Sequence, residues 1–350
     1  MHVPDGFFNA AVSISAGAVA AAGVGVCLRG ARRELDDRTA PMAGLVAAFI
    51  FAVQMLNFPV AAGTSGHLLG GTLAAILVGP YTAVLCVAVV LLVQGFFFAD
   101  GGLTALGVNI TLMGIVAIVA GWTVFRLVAG RARGRGTVVA ASFVAALISV
   151  PVAALAFALL FWIGGTAPIE VGTVAAAMGG VHVLIGIGEG LITAVTVSTV
   201  LAVRPDLVYG ARGLTAPLVL RGADGDATVT REAGLPTTSV TPVAPRRLGW
   251  FLPAGIVVAA LLAGIVSFYA SSSPDGLERV ATDKGFIGQS AEHALAGQPL
   301  ADYGEAGGIP VGIAGLIGVG VTLAVGGGLF FAVRRRTGRA GASARDEVSA

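Results

Sequence analysis

Residues 68–98 read LLGGTLAAILVGPYTAVLCVAVVLLVQGFFF, and the cut made in this stretch decides the fold. It is one continuous apolar run, broken only by Gly79-Pro80. Proline removes a helix hydrogen bond and crowds the preceding turn, so the run is either one kinked helix or two short helices joined by a tight turn. Around it lie further apolar runs of about twenty residues, the length that crosses a bilayer as a helix. They fall at 10–28, 40–57, 107–126, 137–164, 178–203, 249–270 and 309–333. Cutting the central run into 68–79 and 81–98 predicts nine spans. Basic residues favour that cut, because Lys and Arg concentrate on the cytoplasmic side of membranes. With two spans there and the N-terminus outside, 19 of the 21 Lys and Arg residues fall on inner segments, leaving only Arg279 and Lys284 outside. A single span would put Arg126, Arg131, Arg133 and Arg135 outside.

Composition excludes most other readings. Of 350 residues 56% are hydrophobic and 11% charged, and the mean hydropathy is +0.91. A soluble domain is about a quarter charged, so this chain cannot clothe a compact soluble fold in polar side chains. The 52 glycines show no every-third-residue period, which excludes collagen. The apolar runs do not alternate with polar residues, which argues against a transmembrane β-barrel. The expectation is an all-α integral membrane protein of seven helices followed by a two-helix hairpin. The net charge of +2 gives no reason to expect nucleic acid. Cys27 and Cys86 lie inside apolar runs and read as small core residues. The polar stretch 205–247 reads as a cytoplasmic linker and 337–350 as a disordered tail, which bounds an N-terminal module at 1–204 and a hairpin module at 248–336.

On the outer segments Asp5, Asp100, Glu170, Asp275, Glu278, Asp283, Glu292, Asp302 and Glu305 face only the two bases named above. Such a field, about −7, gathers cations near the surface. The positive-inside bias alone accounts for half of the asymmetry.

The chain opens Met1-His2-Val3-Pro4-Asp5-Gly6-Phe7-Phe8. It has neither the basic start nor the small-residue cleavage site of a signal peptide. A bulky His2 is expected to protect Met1 from removal, leaving a free amine followed by histidine. The amine, the His2 amide nitrogen and an imidazole nitrogen of His2 can then close a five- and a six-membered chelate ring. Planar nitrogen coordination of this kind suits Ni²⁺ or Cu²⁺ better than Zn²⁺. A fourth corner stays open, and His67, in Gly63-Thr64-Ser65-Gly66-His67, is the candidate for it because its loop falls on the same side as Met1. The alternative readings are an incidental surface residue for His2 and a capping or interfacial histidine for His67. His182 and Glu189 are seven apart on one helix face inside a span, where ionisable groups are functional or serve helix–helix hydrogen bonding. His293 has no evident partner. No Gly-x-x-x-x-Gly-Lys-[Ser/Thr] is present, so ATP-driven transport requires another subunit.

MHVPDGFF (1–8), GTSGHLLGG (63–71), GFFFADGGLTALGVN (95–109) and HVLIGIGEGLIT (182–193) together resemble the CbiM/NikM family, the substrate-binding S components of cobalt and nickel energy-coupling-factor transporters. The resemblance covers about 1–203. Pro274-Asp275-Gly276-Leu277-Glu278 resembles the PDGLE domain, related to the CbiN/NikN small subunit. The resemblance implies a metal site at the Met1 amine, the His2 amide and imidazole, and His67. It leaves Ser65, Asp100, Asn109, His182 and Glu189 as supporting or intramembrane functional candidates. It also implies Co²⁺ or Ni²⁺ as the transported ion, with no permanently bound cofactor and no catalytic residues. The implied partners are a CbiQ/NikQ-like transmembrane coupling protein and CbiO/NikO-like cytoplasmic ATPases. The implied location is a bacterial cell membrane, with the hairpin module acting on metal loading through its outer loop. One departure is the run Ile110-Thr111-Leu112-Met113, where the family often carries a second Asn before Met. Pro4-Asp5 is closer to the nickel-type opening. Two competing readings are an intramembrane serine protease, with Ser65 in Gly63-Thr64-Ser65-Gly66 and His182 as its base, and a self-sufficient channel or secondary transporter.

Overall fold

The computed structural model describes residues 1–61, 63–130, 134–212, 249–301, 303–304 and 308–348, with backbone alone beyond Arg335. The expectations placed on 213–247, Arg131, Arg133, Asp302 and Glu305 lie outside these residues. The helices are α1 (Ala10–Gly30), α2 (Thr39–Gln54), α3 (Gly71–Val78), α4 (Pro80–Phe97), α5 (Leu106–Ala129), α6 (Arg135–Gly164) and α7 (Val171–Val203), then α8 (Phe251–Gly264), α9 (Gly276–Asp283) and α10 (Val311–Val348). A short antiparallel ribbon, β1 (Phe58–Ala61) with β2 (Thr64–Gly66), precedes α3. Among the described residues seven helical stretches are long and apolar enough to cross a membrane, and α2 is a shorter apolar helix.

The central apolar run does break at Gly79-Pro80. Gly79 adopts φ 99°, open to glycine and strained for other residues, and Pro80 opens α4 with φ already set for a helix. The chain reverses there. His67, before α3, and Gln94, near the end of α4, meet the N-terminal segment at one end of the bundle. Gly79 lies at the other end, against the Glu34 carboxyl group. The buried Glu34 caps α4 from outside that helix, accepting from the Thr82 amide at 2.7 Å and hydroxyl at 2.8 Å. These satisfy donors that a helix start leaves open.

The expected span 68–79 requires correction. α3 has 8 residues, about 12 Å of helix against a hydrocarbon core of about 30 Å. Residues 67–70 ahead of it are not helical. Every residue of α3 is buried, so its apolar composition reflects protein packing on all sides rather than lipid. A fully buried half-helix and a short span have the same composition. The linker also begins later than expected. Pro205–Leu207 and Tyr209–Ala211 form two tight turns that remain packed, with Val208 and Ala211 buried and Gly210 closely covered by Phe125. The backbone of α10 runs on to Val348, into the stretch expected as a tail.

The C-terminal helices lean on the N-terminal bundle. α10 crosses α2 where Gly44 and Gly327 meet backbone to backbone, the close approach that small residues allow in membranes. α8 packs on α2 at Gly255, against Leu45. Residues 271–291, including α9, pack against the N-terminal segment and the β1–β2 ribbon.

Gly79→Ala is expected to lower stability by about 1–3 kcal/mol, because its Cβ adds φ strain and lies 2.5 Å from the Glu34 carboxyl carbon. A lowered melting temperature in detergent, with helix content unchanged before melting, checks this.

Candidate metal centre

The first eight residues are drawn into the protein by their own backbone. Val3 is clasped by Asn109: its amide donates to Asn109 Oδ1 at 2.8 Å, and its carbonyl accepts from Asn109 Nδ2 at 3.1 Å and from the Gly102 amide at 2.8 Å. The buried Asp5 carboxylate accepts from the Thr104 amide at 2.7 Å, the Thr104 hydroxyl at 2.5 Å and the Leu103 amide at 3.2 Å. Any Cβ on Gly102 would lie 2.2 Å from the Asp5 nitrogen, so the two segments can approach this closely only with glycine there. Phe7 is buried edge-on against Phe286 of the C-terminal loop, and Phe8 packs on Phe157 and Phe161 of α6. Asn9 then caps α1 through the Val12 amide at 3.0 Å. Asp5, read with Pro4 in the sequence as closer to the nickel-type opening, anchors the segment through Leu103 and Thr104.

This anchoring buries Met1 and brings its amine to 2.5 Å from His67 Nε2. His67 Nδ1 lies 3.1 Å from the Leu68 carbonyl, which accepts its proton and leaves the Nε2 lone pair facing the amine. The His2 ring stacks on His67 with centroids 4.8 Å apart. Gln94 Oε1 lies 3.1 Å from His2 Nε2. In the tautomer that donates from Nε2 to it, the lone pair falls on Nδ1, the nitrogen whose chelate ring with the His2 amide is six-membered. Asp100 Oδ1 stands 3.4 Å from that Nδ1. A second outer acid enters from the C-terminal module: Asp275 Oδ2 lies 3.0 Å from the Met1 amine and 3.7 Å from His67 Nε2. A cavity of about 280 Å³, lined in part by His2, Asp100, Gly101, Asp275 and Glu278, adjoins the cluster.

The electrostatics suit a cation ligand set. Burial, then the neighbouring amine and His2, holds His67 well below the ordinary histidine value. Burial also lowers His2, against the pull of Asp100. Both rings therefore keep their lone pairs to lower pH than a free histidine. Burial would raise Asp275, but the amine and His67 beside it hold its carboxyl below the usual carboxylate range. Among the described residues no group of three or more His, Cys, Asp and Glu side chains forms a metal site. The Met1 amine and the His2 amide are the main-chain nitrogens beside the two imidazoles.

The remaining candidates take distinct places. Glu189, fully buried on α7, accepts from the Leu69 amide at 2.7 Å and the Gly70 amide at 3.0 Å. It thereby fixes the loop that presents His67. Gln54 on α2 holds the same loop from the other side, donating Nε2 to the Leu69 carbonyl at 2.9 Å. Ser65 donates its hydroxyl to the Ser273 carbonyl at 2.7 Å and its amide to the Pro274 carbonyl at 2.9 Å. It docks the C-terminal loop, and its hydroxyl is directed there rather than to His182. His182 donates Nδ1–H to the Met178 carbonyl at 2.8 Å, and its ring edge lies against Gly276, where a Cβ would come within 3.1 Å. His293 accepts from the Leu295 amide at 3.0 Å within its own turn. Gln94 and Asp275 were missed as site residues. Gln94 is one polar residue in an apolar span, a signal that was available; Asp275 was evident as part of the Pro274–Glu278 motif, but nothing in the sequence set it beside Met1.

Glu189→Ala frees two buried amides, at about 1–3 kcal/mol each, and should lower the melting temperature while loosening the 67–70 loop. Hydrogen exchange at Leu69 and Gly70, raised relative to the rest of the bundle, is the measurement.

Comparison with known proteins gives the site its context. The family model described as the cobalt uptake substrate-specific transmembrane region, CbiM, matches residues 2–207, and that of the PDGLE domain matches residues 249–335. The chain is 39% identical over 209 residues to a Haloquadratum walsbyi protein whose name assigns it to metal transport; the match covers 60% of this chain and 94% of the relative. It is 33% identical over 230 residues to the fused nickel transport protein NikMN of Rhodobacter capsulatus, covering 62% and 66% of the two chains. The crystal structure of a truncated transition metal transporter superposes with a TM-score of 0.52 at 28% identity, over 58% of this chain and 99% of that one. With more than half its length matched in this way and its helices built to cross a bilayer, the chain belongs to the CbiM family of cobalt and nickel transport components, as a multi-pass membrane protein that also carries a PDGLE domain.

Proposed function

We propose that the protein is the substrate-capturing membrane component of an energy-coupling-factor importer for Co²⁺ or Ni²⁺. The ion is taken from the outer side by the Met1 amine, the amide and Nδ1 of His2, and Nε2 of His67. The observation that carries this reading is the burial of a chain terminus against an imidazole lone pair, 2.5 Å away, with a second histidine stacked beside it. A buried amine with no task of this kind would be a costly choice of core group.

Each neighbour has a role in that capture. Asn109 sets the depth to which the N-terminal segment enters. Gln94 directs the His2 proton to Nε2, leaving Nδ1 for the ion, as outer partners of metal-bound histidines commonly do. Asp100, 37% exposed beside the cavity, offers the arriving cation a negative entrance. Binding replaces the protons of the amine and the amide, so those protons leave as the ion enters. The ring of outer acids and the inner bases orient the chain with the N-terminus outside and the C-terminus in the cytoplasm. The energy comes from partner ATPases through a transmembrane coupling protein, since the sequence contains no P-loop of its own. The protein itself is a transport component and not an enzyme.

His67→Ala and His2→Ala should each weaken Ni²⁺ binding to the purified full chain by at least about a hundredfold while the metal-free protein stays folded, with a lowered melting temperature in His67→Ala because the buried Met1 amine loses a partner. Chelator competition on a preparation with a free N-terminus is the measurement. Joining extra residues ahead of Met1 should have the same effect, since it turns the amine into an amide. Tight binding that survives in any of the three would overturn the proposed ligand set.

A further inference from the structure

The PDGLE segment reaches the candidate metal centre itself. Its path is held at several points. Ser65 binds the Ser273 and Pro274 carbonyls, the Ser271 amide donates to the Asn57 carbonyl at 2.7 Å, and the Ala291 amide donates to the Asp5 carbonyl at 2.8 Å. Phe286 is fully buried between Phe7 and Phe161. Gly276 lies so close to α7 that a Cβ there would strike Ile185 at 2.6 Å. These contacts leave little freedom in where Asp275 points.

The two oxygens of Asp275 do different things. Oδ1 accepts from the Glu278 amide at 2.8 Å and so caps α9. That task needs no charge, since Asn and Ser cap helices as well as Asp does. Oδ2 is turned away from the helix, 3.0 Å from the Met1 amine and 3.7 Å from His67 Nε2. It is the one carboxylate oxygen, among the described residues, recorded in ion-pair contact with both of those nitrogens. Asp100 approaches the cluster only through His2 and from the more exposed side. A divalent ion held by the amine and by His67 Nε2 would therefore face Oδ2. A cation taken out of water needs a compensating anion close by, and the nitrogen donors supply at most one negative charge, through the amide.

We propose that Asp275 is the built-in counter-anion of the metal site, through which the C-terminal module completes the charge balance for ion capture by the N-terminal one. This rests on the ligand set proposed above. It assigns the PDGLE aspartate a role distinct from helix capping: Oδ2 pairs with the ammonium when the site is empty and with the ion when it is filled. It also makes capture depend on docking of the outer loop, because without the Ser65 and Phe286 contacts the carboxylate would not be held at the site.

The test uses the full chain with a free N-terminus and measures Ni²⁺ and Co²⁺ affinity by chelator competition. Asp275→Asn and Asp275→Ser both retain a capping oxygen and both remove the charge. Each should weaken binding at least tenfold, while Asp283→Asn, an exposed change on the same helix, leaves it unaltered. If Asp275→Asn and Asp275→Ser bind within twofold of the parent while His67→Ala loses the ion, Asp275 is only a cap and the proposal fails alone. If His67→Ala also binds normally, the ligand set fails and the proposal fails with it.

Discussion

A polypeptide terminus placed inside a membrane protein sets the terms for everything around it. The Met1 amine is almost completely removed from water, and a buried ammonium without partners is among the least tolerable groups in a folded chain. Here it meets the His67 lone pair at 2.5 Å and the Asp275 carboxylate at 3.0 Å. One partner accepts a hydrogen bond and the other neutralises charge. Both must be held still, and much of the bundle's irregular structure can be understood as the means of holding them. The N-terminal segment is fixed by its main chain, through Asn109 at Val3, and by a side chain, through Asp5 at Thr104. His67 is fixed by a loop whose amides are taken up by Glu189 and whose carbonyl is taken up by Gln54.

That loop explains why the third helix is so short. A helix running from 68 onward would move the Leu69 and Gly70 amides away from Glu189 and swing the His67 ring with them. By ending the helical pattern at Gly71, the chain frees an extended stretch inside the bundle. Non-helical backbone at such depth is stable only where protein groups satisfy it. The carboxyl group of Glu189 does this from a neighbouring helix. An acidic residue in the middle of a span is thus accounted for by backbone hydrogen bonding, and it bears on the site through the loop it holds. A stretch of π-helix at 110–116, directly after Asn109, marks a second place where regular structure yields near the site.

The bundle was legible in the sequence to the extent that it depends on length and apolarity. The long runs at 137–164 and 178–203 became the helices α6 and α7, and Gly79-Pro80 marked the reversal between α3 and α4. What could not be read was depth. Leu73, Ile76 and Leu77 are as apolar as lipid-facing residues, yet they are buried on all sides, and composition does not separate protein from lipid as the solvent. Met1, His2 and His67 could be named as candidates because an amine beside a histidine is a possible chelate, and the structure brings the three together. The place of Asp275 could not be read. It lies 208 residues from His67, and although the Pro274–Glu278 motif that contains it was evident, only the docking of that loop gives its second oxygen a meaning.

The cluster draws on four separated parts of the chain: the terminus, the loop before α3, the end of α4 and the loop between α8 and α10. No one of them has any tendency to form the cluster alone. Closing such long loops costs entropy that only the finished packing repays. The site is therefore a property of the assembled bundle, and the two modules are not independent in producing it. Where a metal site is built from residues on one helix, a separate small subunit can come and go without altering the ligands. Here a carboxylate from the far side of the linker stands against the amine, so, on the proposed ligand set, the covalent joining of the two modules raises the local concentration of the counter-charge. On that argument, fusion is a way of keeping the counter-charge always in reach of the terminus it neutralises.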